Sequence, residues 1–193
     1  MSASLVGSEM CIRDRVVKGL DMLVPLHGWK SLIEGILKMG IFIGYLALIT
    51  RMKEIHRVFQ YHGAEHKTIF CYENGLPLTV ENVKKQKRFH PRCGTSFMIL
   101  MLILSILVSS LMTWDSLWLR TVLKIASLPL VMGIGYELIK IAGRYDNILT
   151  KIISWPGLML QRLTTFEPED DQMEVAIASM LPVIPENRDE DRW

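Results

Sequence analysis

His62 and His66 stand four residues apart, with Glu65 between them, in the string His62-Gly-Ala-Glu-His66. On a helix this spacing puts both imidazoles on one face, where two neutral ring nitrogens can hold one metal ion at ~2.0–2.1 Å. The string is formally H-x-x-E-H, the inverted zincin motif. Five residues are weakly specific, because two packed histidines with backbone or carboxylate partners give the same pattern. A second pair, His90-Pro-Arg-Cys93, follows in the same stretch. With it the chain offers three imidazoles and one thiolate, enough for a tetrahedral zinc site. We therefore expect His62, His66, His90 and Cys93 as ligands of a divalent metal, with zinc preferred, and Glu65 as general base. His56 and Cys71 fall on other faces of the same helix. Cys71 reads as a free thiol.

These residues need positioning elements. Met52 to Glu73 reads as one helix, ended by Asn74-Gly75, a left-handed cap. Its apolar stripe is Ile55, Val58, Phe59 and Ile69, with His62 and His66 inside it and Glu65 on its flank. Gly75 to Thr79 is a turn, and Thr79 caps a short predicted helix from Val80 to Arg88. His90 to Gly94 is a loop.

What flanks this stretch is apolar. Half of the 193 residues are hydrophobic, and mean hydropathy is +0.25. Gly94 to Trp114 is a run of 21 uncharged residues, long enough to span a bilayer, which needs ~20; Ser96 is its expected N-cap. Ser31 to Thr50 is a second candidate span, with Glu34 and Lys38 able to pair at i, i+4. Leu119 to about Ile139 is a third; Pro129 should kink it, and Gly133 and Gly135 suit close helix approach. The stretch between Arg51 and Arg92 is rich in Lys and Arg, whereas Thr113 to Trp118 has none, so the positive-inside rule places the long loop and the C-terminal part in the cytoplasm. The expected fold is an all-α membrane protein of about three transmembrane helices. Its segments are 16–50 with the first span, 51–95 as the His/Cys loop, 96–140 as a membrane hairpin and 141–193 as a cytoplasmic C-terminal region.

Within that last region, Asn147 to Arg162 reads either as a helix lying on the inner leaflet or as an amphipathic connector, broken by Pro156-Gly157. Phe166 to Leu181 is a soluble helix with Pro168 in its first turn, and Glu169, Asp170 and Asp171 at its positive end. That acidic group reads as a solvated helix start rather than a metal site. The tail is polar. A net charge of +2, with 22 cations against 20 anions, excludes a broad nucleic-acid footprint, so the expected partners are the lipid bilayer and other membrane proteins. Three cysteines do not make a disulfide framework. Residues 1–15 resemble the translation of a library-preparation adapter fused to a gene fragment, so we expect natural sequence upstream to be missing.

Several longer strings carry a resemblance. Arg57-Val-Phe-Gln-Tyr-His-Gly-Ala-Glu-His-Lys67, Leu76-Pro-Leu-Thr-Val-Glu-Asn-Val83 and Arg92-Cys-Gly94 resemble the YqhQ-type family of bacterial membrane proteins, as do Leu117-Trp-Leu-Arg120, Pro156-Gly-Leu158 and Gln172-Met-Glu-Val-Ala-Ile-Ala-Ser179. The likeness runs from about Lys18 onward. It implies a multi-pass protein of the bacterial cytoplasmic membrane, in a family of unknown function labelled as a predicted metal-dependent enzyme. Family members carry an upstream glycine-rich segment that this sequence lacks.

Two readings of the site follow. In the enzyme, His62 and His66 bind metal with His90 or Cys93 as third ligand, and Glu65 activates water for hydrolysis of a lipid-linked or membrane-peptide substrate. Glu137 is a more distant ligand candidate. In the alternative, all four of His62, His66, His90 and Cys93 close the site. The metal then only staples the loop, and the protein serves in membrane assembly or regulation.

Overall fold

The computed structural model describes residues 30–111, 117–145 and 147–185. Among these it is all helical. In chain order the helices are α1 (Lys30–Ile49), α2 (Lys53–Glu73), α3 (Val80–Lys84), α4 (Gly94–Ser110), α5 (Leu117–Arg144), α6 (Ile148–Thr164) and α7 (Asp170–Met180), followed by a 3₁₀ turn, Leu181–Val183. The chain divides into two compact units, one of residues 1–44 and 101–135 and one of residues 45–100 and 136–193.

The first unit is apolar on its outside. Ile36, Leu107, Trp118, Val122, Ile125 and Leu130 are each more than half exposed. Among the described residues, two helical stretches are long and apolar enough to cross a membrane, Leu32–Ile49 and Thr121–Arg144. Only 6% of the first and 11% of the second is buried within the molecule. The uncharged run after Cys93 yields a helix of 17 residues. At 1.5 Å per residue that is about 26 Å, short of the ~30 Å hydrocarbon thickness. Length therefore supports two spans where about three were expected. Pro129 lies inside the continuous α5.

The second unit has a conventional core. Ala64 and Cys71 of α2, Val83 of α3, and Met173 and Ala176 of α7 pack together, with Leu78, Val80 and Ile177 around them. The buried face of α2 is thus Gly63, Ala64, His66, Lys67, Thr68 and Cys71, not the expected stripe, and Val58 is exposed. Small and polar residues hid this face from an apolar count. Lys67 is buried because its ammonium pairs with Glu167 and donates to the Lys84 carbonyl at 3.1 Å. Gly75 takes φ 68°, as the expected cap requires. Thr79 caps α3 through the Asn82 N–H, yet the helix ends at Lys84, four residues early.

Three further boundaries differ from the sequence reading. α4 begins at Gly94, so Ser96 is an interior residue; Cys93 takes its place, with its carbonyl accepting from the Phe97 N–H at 3.0 Å. α6 runs unbroken through Pro156-Gly157. Gly157 is needed for contact, because a Cβ there would lie 2.6 Å from the Ser96 side chain. α7 begins at Asp170 with a capping box between Glu169 and Gln172, leaving Pro168 outside. Asp170 and Asp171 pair with Lys84 and Arg57, so the acidic cluster ties α7 to its neighbours.

Candidate metal centre

The site lies wholly in the second unit. α2 presents His62 and His66 one turn apart, with ring centroids 4.4 Å from each other. Cys93, at the start of α4, brings its Sγ to 3.2 Å from His62 Nε2. One ligand atom from each of His62, His66 and Cys93 lies within 4.8 Å of the other two.

Each histidine is held by its other nitrogen. His62 Nδ1 donates to the Thr164 carbonyl at 2.7 Å, and His66 Nδ1 donates to the Arg88 carbonyl at 2.5 Å. A carbonyl only accepts, so each Nδ1 carries a proton, and once a ring gives up its second proton its lone pair is on Nε2. This is the arrangement by which a backbone carbonyl orients a metal-binding imidazole. Gly63 permits it. The chain after α6 crosses α2 so closely that a Cβ at Gly63 would meet the Phe166 carbonyl oxygen at 2.1 Å. The Phe166 N–H donates to the Phe59 carbonyl at 2.9 Å.

Cys93 sits where a thiolate is favoured. As the residue capping α4, its sulfur receives the Thr95 N–H at 3.4 Å and contacts the Thr95 hydroxyl at 3.2 Å. Burial would raise the thiol pKa. Hydrogen bonds from His62, His66 and Thr95, together with the nearby His66, outweigh burial and lower it to about 4. At His62 burial pulls the pKa down, but the bonds to Cys93 and Thr164 and the charges of Cys93 and Glu65 leave it raised. Cys71 behaves oppositely: its burial in the core pushes its thiol pKa up.

The remaining sequence candidates fall outside the triad. His90 lies behind His66, with ring centroids 5.9 Å apart. Its Nε2 faces a Glu73 carboxylate oxygen at 3.2 Å, and its Nδ1 accepts the Arg92 N–H at 3.2 Å. Glu65 and Glu137 are exposed, and Glu65 reaches the site only through its charge on His62. His56 stacks on Phe166 at 4.2 Å.

Three supports were not anticipated. Glu73 pairs with both His90 and Arg92; burial opposes its ionisation, but these two partners hold its pKa below the usual carboxylate value. Gln161 is fully buried. It receives the His90 N–H at 2.8 Å and donates to the His90 carbonyl and the Ser96 hydroxyl. Thr164 supplies the carbonyl for His62. The two glycines, each inside a helix, were the available signal, since a helical glycine often marks close backbone approach.

The profile of a family described as protein of unknown function (DUF1385) matches residues 15–186. The chain is 47% identical over 158 residues to a Bacillus subtilis (strain 168) protein described as "Uncharacterized protein YqhQ". That alignment covers 81% of this chain and 50% of the relative, so the chain spans about half the length of the curated relative it matches. No solved structure matches it.

Proposed function

The chain belongs to the DUF1385 protein family, and for this member we propose a membrane-bound, zinc-dependent hydrolase with His62, His66 and Cys93 as its metal ligands. One observation carries the proposal: both histidines spend Nδ1 on a backbone carbonyl, leaving Nε2 to converge with a thiolate sulfur. Two nitrogens and a sulfur match the preference of zinc, and three protein ligands leave a fourth position for water or substrate. A zinc ion so held lowers the pKa of water toward ~7. Glu65 is the base in this reading, exposed beside His62 where substrate can reach it.

The closed alternative, a structural zinc with His90 as fourth ligand, requires His90 to give up at least the Arg92 N–H that its Nδ1 now accepts. The open site keeps those contacts and is preferred.

The membrane reading rests on the apolar stretches within α1 and α5 and on α4 as a shorter third crossing. The basic stretch Arg51–Arg92 then faces the cytoplasm of a bacterial inner membrane. α6 supports this placement. Ile148, Leu149, Ile152 and Trp155 are each more than 60% exposed and recur at helical spacing, suiting a helix laid in the inner leaflet. A substrate at that surface would be lipid-linked or a membrane peptide.

The test is Glu65→Gln in the full-length protein. As a hydrolase, the variant retains zinc and fold while losing turnover by ~10²–10⁴-fold, the typical worth of a general base. A cellular phenotype that survives Glu65→Gln but fails with both His90→Ala and Cys93→Ala would establish the closed staple instead.

A further inference from the structure

The apolar first unit has a cavity whose wall, between Met39, Leu102 and Ile106, carries several polar side chains. Glu34 and Lys38 lie four residues apart on α1, and Ser105 and Ser109 lie four apart on α4, a spacing that keeps each pair on one face. These four side chains and Lys124 of α5 line a single cavity of about 120 Å³. At ~30 Å³ per water, the space would hold about four waters. The wall is rigid at one point. Gly35 packs so closely on α4 that a Cβ there would lie 2.5 Å from the Ile106 side chain, and a β-branched residue has little freedom to yield.

Large aliphatic side chains face outward, while the half-buried Glu34 and Lys124 and the exposed Lys38 stand around the cavity. Ionisable groups among lipid-facing helices are costly, and where they occur they mark a functional site by default. Here three helices contribute to one such site. Two ammonium groups and one carboxylate leave the cavity with a net charge of +1. That balance favours a monoanion, and the Glu34 carboxylate opposes a dianion. The ammonium and hydroxyl groups can all donate hydrogen bonds. Because they arrive from three helices, they can surround a ligand, which suits a tetrahedral oxyanion better than a planar carboxylate. Lysine is a well-suited point charge for phosphate.

We propose that this cavity is a binding site for a phosphodiester monoanion, held by Lys38, Lys124, Ser105 and Ser109. The site is separate from the His62/His66/Cys93 centre and independent of the hydrolase reading. A phospholipid headgroup and a soluble phosphodiester share the required chemistry.

The test uses the full chain in phosphatidylcholine nanodiscs doped with phosphatidylglycerol, with retained lipid measured by native mass spectrometry. A parallel arm measures the shift in melting midpoint on adding dimethyl phosphate to detergent-purified protein. A lipid ligand gives at least tenfold enrichment of phosphatidylglycerol over phosphatidylcholine, lost in the Lys38→Gln, Lys124→Gln double variant. A soluble ligand gives a midpoint shift with dimethyl phosphate, absent in the same variant. Glu34→Gln should tighten either anion. Lys38→Gln, Lys124→Gln and Ser105→Ala as single changes carry the same comparison if the double variant fails to fold. Neither anion acting on the unaltered protein, or equal effects in all folded variants, would overturn the proposal. Zinc content should be the same throughout.

Discussion

Cys93 and His62 form an acid–base pair, and their shifts have opposite consequences with pH. The thiol pKa in the folded protein, about 4, lies below its unfolded value. Its contribution to stability is therefore fully present above the unfolded value and lost as pH falls through about 4. The His62 pKa is raised, so its contribution is fully present below ~6.5 and lost as pH rises through the folded value. In metal-free protein, the thiolate ultraviolet absorbance of Cys93 should persist down to a midpoint of about 4 and vanish in Cys93→Ser. A midpoint near the ordinary thiol range would refute the pair. Zinc binding near neutrality then displaces a proton chiefly from His62, so affinity should fall as the medium is acidified.

At the scale of elements, the centre depends on backbone approach as much as on ligands. Gly63 shows this with a prediction whose sign two effects contest. Replacing a helical glycine with alanine ordinarily stabilises by ~1 kcal/mol. Here the added methyl meets the Phe166 carbonyl oxygen, and overpacking of that kind costs ~1–3 kcal/mol. Gly63→Ala should lower the melting midpoint and also loosen metal binding, because Thr164, two residues before Phe166, orients His62. Unchanged stability and unchanged zinc content would remove the crossing strand from the account. This dependence also shows what the sequence made legible. The i, i+4 histidines and the α2 boundaries follow from local periodicity and a Gly75 cap. Gln161, Thr164 and Glu167 act on residues 65 or more positions away, which no local pattern reports. His90 shared the motif logic of His66, but Glu73, the last residue of α2, captured its ring.

For the whole molecule, the first unit is apolar on its outside and the second has a conventional core, a contrast that the proposed membrane placement accounts for. The three-span reading makes a specific prediction. A cysteine placed at Lys85, in a background lacking other reactive thiols, should be protected from an impermeant reagent in intact cells, and one at Ser116 should be labelled. Labelling at Lys85 alone, or protection of both, would contradict it. α4 is the shortest of the three proposed crossings, and it is also the helix whose first residue follows Cys93. The same segment would therefore anchor the metal centre at the membrane surface.

The central claim is a three-ligand zinc site, and X-ray absorption on the zinc-loaded, full-length protein addresses it directly. The account predicts two imidazole nitrogens at ~2.0–2.1 Å, one sulfur at ~2.3 Å and one light, non-imidazole ligand. The spectrum should be unchanged in His90→Ala, and binding should be lost in His62→Ala, His66→Ala and Cys93→Ala. A third imidazole that disappears in His90→Ala, or protein that takes up no stoichiometric zinc, would contradict it.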